Sequence, residues 1–382
     1  MKKKLYIVTT VPQTLFTILK GQPEFLHSAY DITLISSGNE KGYDLERIAK
    51  NEGVKWHRVD MYRGISPARD VVSIFTLAKF LCYNRPEIIH SFTPKAGFIV
   101  SIASFIARVK KRVHTFTGLI FPTEYGLKKY LLKNLDKLVV ALNTNIVCEG
   151  KGVWRQLSDA GFNDKKFEII GNGNIAGVDV DHFCKQGLTS SVESNLKLDK
   201  NVPVFLYVGR LNKDKGISEL VNAFIELNFE ANLIIVGALD DTAPIDNQTM
   251  KIIQDNNNIY NVGFQCDVRP YMSVANCLIL PSYREGFPNV LLQAGSMELA
   301  SIVTDVPGSN EAIIDGYNGW IVPPRSTSAL IDAMYNFNSL STEEKRTISR
   351  NSRINVVSKY ERSIYQAKLT EFYYNLCLEK DN

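Results

Sequence analysis

The chain has 382 residues, of which 45% are hydrophobic and 22% charged, and its formal net charge at pH 7 is +4. These proportions are typical of a globular protein and exclude a disordered or fibrous chain, and so small a net charge gives no reason to expect a nucleic-acid partner. Because 382 residues exceed what one hydrophobic core usually supports, we expect two domains.

The first half of the sequence alternates short β-rich runs with longer helical patterns, as a doubly wound parallel α/β sheet requires. The predicted strands are residues 5–9, 31–36, 87–90, 112–116 and 137–147. The predicted helices are residues 14–27, 45–51 and 71–84, the last of which ends before Pro86, as a proline boundary predicts.

A cationic patch lies between Arg108 and Lys137, where eight basic residues face only two acidic ones. Residues 125–137 have the pattern of an amphipathic cationic helix, and such a face docks on anionic lipid headgroups. The alternative is an ordinary surface helix with apolar contacts to the core and solvated lysines. We predict a membrane surface as a partner of this patch and keep the ordinary helix as the alternative.

Sequence rich in glycine, asparagine and serine interrupts the alternation at residues 171–177 and 185–201, and we place the interdomain linker there. The predicted domains are residues 1–178 and 179–359, and a C-terminal helix of about residues 360–382 is expected to pack back on the first. A second series of strands makes the second domain Rossmann-like as well. These strands are predicted at residues 204–208, 232–236, 259–264, 277–281, 301–304 and 319–322.

The first strand of the second series runs into a loop that carries two cations. Gly209 and Arg210 follow the strand at once, and Lys215 stands just before a helical pattern that starts at Ile217. A glycine-hinged loop at a helix start binds phosphate through backbone N–H groups, and a guanidinium fork and an ammonium strengthen that binding. The alternative for this fragment alone is a solvated basic loop.

A later strand ends in a loop that carries Glu285 and leads into a helix predicted to begin near Pro288. Helix N–H groups can hold an anionic donor here, while the Glu285 carboxylate accepts hydrogen bonds from sugar hydroxyls. Gln293 stands eight residues after Glu285, which on a helix places both side chains on nearly one face. The predicted donor-binding residues are Gly209, Phe264, Gly286, Phe287, Pro288, Asn289, Val290 and Gln293.

With these motifs in place, the chain resembles family 4 of the retaining glycosyltransferases, and within it the bacterial enzymes that build capsule, exopolysaccharide or O-antigen repeats. The segments that carry the resemblance span nearly the full length in family order. They are residues 9–12, 65–67, 90–97, 114–118, 171–179, 208–216 and 282–294. The resemblance implies the GT-B fold, in which two Rossmann-like domains with parallel sheets face an interdomain cleft. It also implies a UDP-sugar donor and a polyprenyl-diphosphate-linked saccharide as acceptor.

By the same resemblance, Arg210 and Lys215 neutralise the donor diphosphate and Glu285 positions the donor sugar, which makes these three the predicted catalytic residues. The second glutamate of the family signature is replaced here by Gln293. An amide still binds ribose hydroxyls, although the loss of a charged hydrogen bond of roughly 1.5–3 kcal/mol would weaken nucleotide affinity or alter its choice.

The family often places a histidine before a glycine in a first-domain loop, where this chain has Thr117, so no catalytic histidine is assigned. We interpret His114 as an ordinary strand residue. In the loop after His90 we rank Lys95 first, because its cation can meet an acceptor phosphate. The predicted acceptor or cleft residues are Thr10, Gln13, Lys95, Thr117 and Gly118.

Two acidic pairs imitate metal sites. Asp179 and Asp181 lie in the predicted linker and are interpreted as structural, and Asp240 and Asp241 are interpreted as a solvated loop. We therefore predict no metal and no cofactor beyond the UDP-sugar substrate. A dehydrogenase is excluded because no Gly-x-Gly-x-x-Gly follows the first strand.

The predicted reaction is transfer of a hexose or N-acetylhexosamine with retention of configuration, in which the departing phosphate takes the acceptor proton. Two alternatives stay open: a nucleotide-sugar epimerase of the same fold, and a noncatalytic nucleotide-sugar-binding subunit, for which Gln293 is the only indication. The basic N-terminus precedes an apolar run too short for a signal peptide, and the six cysteines stand singly. We expect a cytoplasmic protein, attached to the inner face of the membrane where the cationic patch docks.

Overall fold

The computed structural model describes residues 2–40, 42–62, 64, 66–188, 191–199, 201–240 and 243–378. Ile65 and Asp241, which entered the sequence predictions, lie outside the described residues, as do parts of the predicted linker and of the predicted C-terminal helix. The chain divides into two compact units, Met1–Ala176 with Ser363–Asn382, and Gly177–Arg362.

The first unit contains a sheet of seven parallel strands and a short antiparallel hairpin. The strands are β1 (Lys3–Val8), β2 (Tyr30–Ser36), the hairpin strands β3 (Asn39–Glu40) and β4 (Tyr43–Asp44), β5 (Lys55–Arg58), β6 (Ile88–Phe92), β7 (Lys111–Phe116), β8 (Asn145–Cys148) and β9 (Phe167–Glu168). The helices are α1 (Pro12–Thr17), α2 (Gln22–His27), α3 (Leu45–Asn51), α4 (Pro67–Asn84), α5 (Pro94–Ile106), α6 (Gly126–Leu142) and α7 (Lys151–Asp159). The strand order is β5-β2-β1-β6-β7-β8-β9, so the order reverses between β1 and β6.

The C-terminal segment of the chain completes the core of the first unit. Its helix, Arg362–Leu378, buries Tyr365, Leu369 and Tyr373 in the same cluster as Leu5 of β1. The sheet strands are rich in buried valine, isoleucine and leucine, as expected for parallel strands covered by helices on both faces.

The second unit repeats this architecture with six parallel strands in the order β12-β11-β10-β13-β14-β15. They are β10 (Val204–Val208), β11 (Asn232–Val236), β12 (Ile259–Gly263), β13 (Cys277–Leu280), β14 (Ala300–Thr304) and β15 (Gly319–Val322). The helices are α8 (Val192–Asn195), α9 (Ile217–Ile225), α10 (Asn247–Asp255), α11 (Arg269–Val274), α12 (Asn289–Ser296), α13 (Ser309–Ala312), α14 (Thr327–Ser339) and α15 (Thr342–Tyr360), and the C-terminal helix of the first unit is α16. Both units are therefore doubly wound, which confirms the predicted fold class.

Two local predictions are wrong, and one strand was missed. Residues 137–147 are not one strand, because α6 continues to Leu142, where the packing of Val139 and Val140 on the core overrides their β propensity. Residues 14–27 span two helices, since α1 ends at Thr17 and α2 begins at Gln22, directly after Gly21, whose φ of 78° is not helical. Strand β5 was missed because its Lys-Trp-His-Arg sequence has no apolar run to mark it as an edge strand.

No helix in the described part of the chain combines the length and the apolar character needed to cross a membrane.

Candidate functional site

The predicted catalytic residues of the second unit lie at the carboxyl end of its sheet, on both sides of the point where the strand order reverses. Gly209 and Arg210 follow β10, and Glu285 follows the neighbouring strand β13. In open parallel sheets, ligands bind outside the carboxyl ends of the strands at this point. The topology therefore brings together two loops that are about 70 residues apart in the sequence.

Close backbone packing fixes the start of the first loop. A Cβ atom at Gly237 would lie 1.8 Å from the Gly209 carbonyl oxygen, so the two turns touch only because Gly237 has no side chain. The buried Tyr207 hydroxyl donates to the Arg210 carbonyl at 2.8 Å, and burial raises the pKa of Tyr207 well above its usual value. The backbone from which the Arg210 side chain extends is thereby held in place.

Arg210 contacts an acidic residue rather than standing alone. Its Nη1 donates to Asp240 Oδ2 at 2.5 Å, and Asn212 Nδ2 donates to the same oxygen at 3.3 Å. The Asp240 side chain is only 10% exposed, whereas that of Arg210 is 62% exposed. The interpretation of Asp240 as a solvated loop residue is therefore wrong, because the carboxylate anchors one edge of the guanidinium while solvent reaches the rest.

Lys215 and Glu285 form the central ion pair of the site. Lys215 Nζ lies 2.5 Å from Glu285 Oε1, and the side chains are 20% and 11% exposed. The Ser282 hydroxyl donates to the same carboxylate oxygen at 2.7 Å. Gly216, with a φ of 65°, permits the approach of the two loops, since a Cβ atom there would lie 2.1 Å from the Pro281 carbonyl oxygen.

A polar network that the sequence did not reveal joins the same two loops. Arg284 pairs with Asp214 at 2.8 Å, and the Tyr283 backbone N–H donates to the Asp214 carbonyl at 2.8 Å. The guanidinium of Arg325 lies 3.9 Å over the ring of Tyr283, whose hydroxyl donates to Glu219. The only sequence signal was the density of charged residues in two loops, which does not identify the pairs.

The donor loop, residues 286–288, leads into α12. Phe287 is 3% exposed and its ring packs against Tyr360, so its predicted donor contact would have to come from the backbone. Helix α12 begins at Asn289, which leaves Glu285 in the loop, and the expectation that Glu285 and Gln293 share a helix face is wrong.

Gly308 holds the donor loop from the opposite side. Its φ is 76°, and a Cβ atom at this position would lie 2.1 Å from the Gly286 carbonyl oxygen and 2.6 Å from the Phe287 Cα. The loop therefore has its present position because residue 308 is glycine.

The remaining predicted donor-binding residues lie at the same edge of the second unit. Gln293, Asn289 and Val290 are half-buried in the first turns of α12. Phe264 follows β12 directly, and its side chain is 58% exposed. Exposed aromatic surface at a ligand-binding edge suits stacking on a flat ring such as a nucleobase.

In the first unit, the predicted acceptor residues also follow strands that flank its reversal point. Thr10 follows β1, and its hydroxyl lies 2.7 Å from that of Thr93, which follows β6. Thr93 has a φ of 76°, an uncommon conformation for a β-branched residue. Lys95 is largely buried and pairs with Asp70 at 2.6 Å, so its charge is balanced within the unit. Its contact with an acceptor phosphate stays a prediction.

The other acceptor predictions are more dispersed. Gln13 lies in α1, which follows β1, and Thr117 and Gly118 follow β7. All three residues are half-buried, and Gly118 can contact an acceptor only through its backbone. Gly118 has a φ of 91°, a conformation that favours glycine and turns the chain away from the strand.

The two buried histidines of the first unit, His90 and His114, are structural. His114 is buried in β7, hydrogen-bonded to Ser91 at 2.9 Å, and burial lowers its pKa to about 3, which confirms the interpretation as a strand residue. His90 is equally buried between Thr115 and Tyr373, at 2.6 and 2.7 Å, and burial lowers its pKa well below the usual value.

The acid pair in the predicted linker has a structural role. Asp179 accepts the backbone N–H of His182 at 2.9 Å and pairs with Arg362 at 3.2 Å, whereas Asp181 is exposed. Among the residues that the structure describes, no group of three or more His, Cys, Asp or Glu side chains is placed to hold a metal ion. Independence from metal stays a prediction.

Two sequence families match most of the chain. The family described as "Glycosyl transferases group 1" matches residues 202–338, and the family described as "Glycosyl transferase 4-like" matches residues 12–149. The first match contains the Arg210–Asp240 and Lys215–Glu285 ion pairs of the second unit. The second match contains α1 and β6 of the first unit but begins after β1.

Named relatives cover nearly the whole length. The chain is 28% identical to the capsular polysaccharide biosynthesis glycosyltransferase CapM of Staphylococcus aureus, with 99% of each chain covered. It is 25% identical to the UDP-Gal:alpha-D-GlcNAc-diphosphoundecaprenol alpha-1,3-galactosyltransferase of Escherichia coli, over 88% of this chain and 90% of the relative. The crystal structure of Anabaena HepE with UDP and glucose superposes with a TM-score of 0.81 at 16% identity, covering 98% and 100% of the two chains. At that identity the superposition shows a common fold.

Proposed function

The chain belongs to the group 1 glycosyltransferases with the GT-B fold, and from that premise we propose that it transfers a hexose or N-acetylhexosamine with retention of configuration. The proposed donor is a UDP-sugar, and the proposed acceptor is a polyprenyl-diphosphate-linked saccharide. The proposed product belongs to a bacterial surface polysaccharide. The observation that carries the proposal is the ion pair between Lys215 and Glu285, next to the exposed guanidinium of Arg210, at the reversal point of the sheet.

The charges of this site suit a nucleotide diphosphate. Asp240 occupies one edge of the Arg210 guanidinium, and the exposed remainder offers further N–H donors to phosphate oxygens. The Lys215 ammonium has three N–H groups, one of which donates to Glu285. A diphosphate therefore has two cations to bind, each already positioned by a carboxylate.

Glu285 suits the contact with the donor sugar. Its Oε1 accepts hydrogen bonds from Lys215 and Ser282, while its Oε2 accepts none from the residues that the structure describes. The carboxylate is mostly buried, so a hydroxyl that donates to Oε2 makes a charge-assisted hydrogen bond largely shielded from water.

In the proposed reaction, the acceptor oxygen forms a bond to the anomeric carbon on the face from which UDP departs, and the bond from that carbon to the phosphate oxygen breaks. A phosphate oxygen of the departing UDP takes the acceptor proton, so no protein base is needed. Arg210 and Lys215 stabilise the negative charge that develops on the phosphate, because their cations are already positioned by Asp240 and Glu285. We propose that this stabilisation replaces a divalent metal.

The activities named for two relatives support the substrate classes. The Escherichia coli relative uses UDP-Gal and a diphosphoundecaprenol acceptor, and a Campylobacter jejuni relative, 24% identical over 67% of this chain, transfers N-acetylgalactosamine to a diphospho-undecaprenol acceptor. One is a hexosyltransferase and the other an N-acetylhexosaminyltransferase, so the donor sugar has to be found by experiment.

A face of α6 supports docking on the membrane that holds such an acceptor. Leu127, Tyr130 and Leu131, at helical spacing, are 73%, 65% and 49% exposed, and Lys128 and Lys129 lie beside them. Apolar side chains flanked by lysines bind an anionic lipid surface. We propose peripheral attachment through this face.

Vesicle binding tests this attachment. Sedimentation with phosphatidylglycerol vesicles should fall in Leu127→Ser/Tyr130→Ser and stay unchanged in the control Leu239→Ser, whose residue is 54% exposed in the second unit. Equal sedimentation of all three proteins would refute the docking face.

The deciding experiment is turnover in EDTA of a panel of UDP- and GDP-sugars with a synthetic polyprenyl-diphosphate saccharide. We expect one donor to yield a new glycoside, and Arg210→Ala and Glu285→Ala to abolish it. Conversion of a donor to an epimer without acceptor would establish the rival epimerase. UDP binding without turnover across a full acceptor panel would establish a noncatalytic subunit, and a strict requirement for divalent metal would refute the proposed mechanism.

A further inference from the structure

A cavity lies at the amino ends of the strands in the second unit, opposite the end that carries the candidate site. It has a volume of about 710 Å³ and is lined by Pro203, which directly precedes β10, and by Asn276, which directly precedes β13. Arg210 and Glu285 follow the other ends of the same two strands. The volume is within the usual range for small-molecule sites.

One wall of the cavity is a single face of α15. Its lining residues there occupy positions i, i+3, i+4, i+7 and i+8 of the helix, which lie on one side. These residues are Thr342, Lys345, Arg346, Ser349 and Arg350. Because the positions follow the helical repeat over two turns, the cations among them point to the same space.

The lining carries an excess of positive charge. Lys185 faces the cavity together with the three cations of α15, and Glu298 is the one acidic lining residue in the described part of the chain. Loss of hydration lowers the pKa of Lys185, an effect that Glu298 partly opposes. Four cations around one carboxylate leave a positive potential that an anion would relieve.

Few of these cations are neutralised by other contacts. Lys345 donates to the Asn338 carbonyl at 3.0 Å, which fixes its position without removing its charge. Arg346 reaches Glu343 only at 4.0 Å, and both side chains are more than 70% exposed, so this pair contributes little. Arg350 makes no hydrogen bond or ion pair with the residues that the structure describes.

We propose that this cavity binds a soluble phosphorylated small molecule at a site separate from the donor site. Two guanidinium groups one helical turn apart bind phosphate oxygens bidentately, and the amides and hydroxyls around them supply donors for the organic part. A soluble ligand fits better than a lipid headgroup, because the apolar residues that line the cavity are partly or fully buried rather than exposed for insertion into a bilayer. The proposal does not rest on the proposed function, since none of its residues contacts the donor loops.

Inorganic pyrophosphate is the probe. Calorimetric titration should find a site whose affinity falls on the order of tenfold or more in Arg346→Gln/Arg350→Gln. The matched control Arg155→Gln/Lys251→Gln removes two exposed cations outside the cavity and should bind pyrophosphate at the cavity as the wild type does. Arg210→Gln, which alters the donor site, should also keep pyrophosphate binding at the cavity. In hydrogen exchange, pyrophosphate should slow exchange in residues 342–350 of the wild type. If Arg346→Gln/Arg350→Gln does not fold, Lys185→Gln on the facing wall takes its place and should weaken binding severalfold.

Unchanged affinity in the α15 variant would overturn the proposal, as would loss of all pyrophosphate binding in Arg210→Gln. Protection of residues 342–350 by phosphatidylglycerol vesicles but not by pyrophosphate would overturn it in favour of a lipid contact. Because the readout is binding and exchange, it is independent of whether the protein transfers sugar.

Discussion

Replacing Glu285 by glutamine separates two tasks of its carboxylate, which are to hold Lys215 and to receive the donor sugar. A hydrogen bond to a charged group contributes about 1.5–3 kcal/mol. The Lys215 and Glu285 side chains are 20% and 11% exposed. Solvent screening therefore places the energy of their pair near the lower end of this range, at about 1.5 kcal/mol. In the free protein this pair competes with the diphosphate for the ammonium. Its removal should therefore tighten UDP binding about tenfold.

The same substitution should slow transfer on the order of a hundredfold, the usual cost of losing one preorganised contact at a reacting centre. Calorimetry with UDP and initial rates with the UDP-sugar measure the two effects separately. Glu219→Gln is the control, because its carboxylate contacts Tyr283 rather than Lys215 and should leave UDP affinity unchanged. Weaker UDP binding in Glu285→Gln, or turnover equal to the wild type, would refute this reasoning.

Three further predictions concern stability and the second ion pair. Gly308→Ala should lower the free energy of unfolding by about 3 kcal/mol, since its Cβ would lie 2.1 Å from a carbonyl oxygen of the donor loop. The control Gly316→Ala, with a similar φ of 71° and nothing within 4 Å of the added Cβ, should lower it by only about 1 kcal/mol. Equal shifts in thermal melting would contradict this prediction. Burial lowers the pKa of His114 from about 6.5 in the unfolded chain to about 3 in the folded protein. The neutral buried imidazole therefore adds to the free energy of unfolding fully above pH 6.5, and about 2 kcal/mol of that free energy is lost by pH 5. Urea unfolding of the wild type and of His114→Asn at pH 7.5 and 5 measures this loss as the difference between the two proteins, since buried His90 contributes in both. Equal losses in the two proteins would contradict the prediction. Asp240→Asn should change the free energy of unfolding by less than about 1 kcal/mol because Arg210 is 62% exposed, yet raise the donor KM severalfold; an unchanged KM would mean that the pair does not position the guanidinium.

The sequence was most informative where a strand is a continuous apolar run. The bounds of β10, β11 and β15 agree with the predictions, because apolar runs bounded by glycine or polar residues leave little freedom of interpretation. It was least informative at β5, a polar edge strand, and at residues 137–147, where a valine-rich run is helical. In both cases packing decides the conformation, and a local pattern does not contain that information.

The candidate site divides in the same way. Motifs identified Lys215 and Glu285, but their contact depends on β10 and β13 being neighbours in the sheet, which no local spacing reveals. The partners of the predicted cations were missed: Asp240 was interpreted as solvated, and Asp70, which pairs with Lys95, had no sequence signal. A carboxylate in a loop looks the same in a sequence whether it faces solvent or a cation.

The anomeric configuration of the product tests the central proposal most directly. The product of the active UDP-sugar and the polyprenyl-diphosphate acceptor can be assigned from the coupling between its first two sugar protons in NMR, in EDTA and with added magnesium. Retention of configuration predicts an α-linked product from an α-linked donor, formed at the same rate in both buffers and absent with Arg210→Ala. A β-linked product would contradict the proposed attack on the face that UDP leaves.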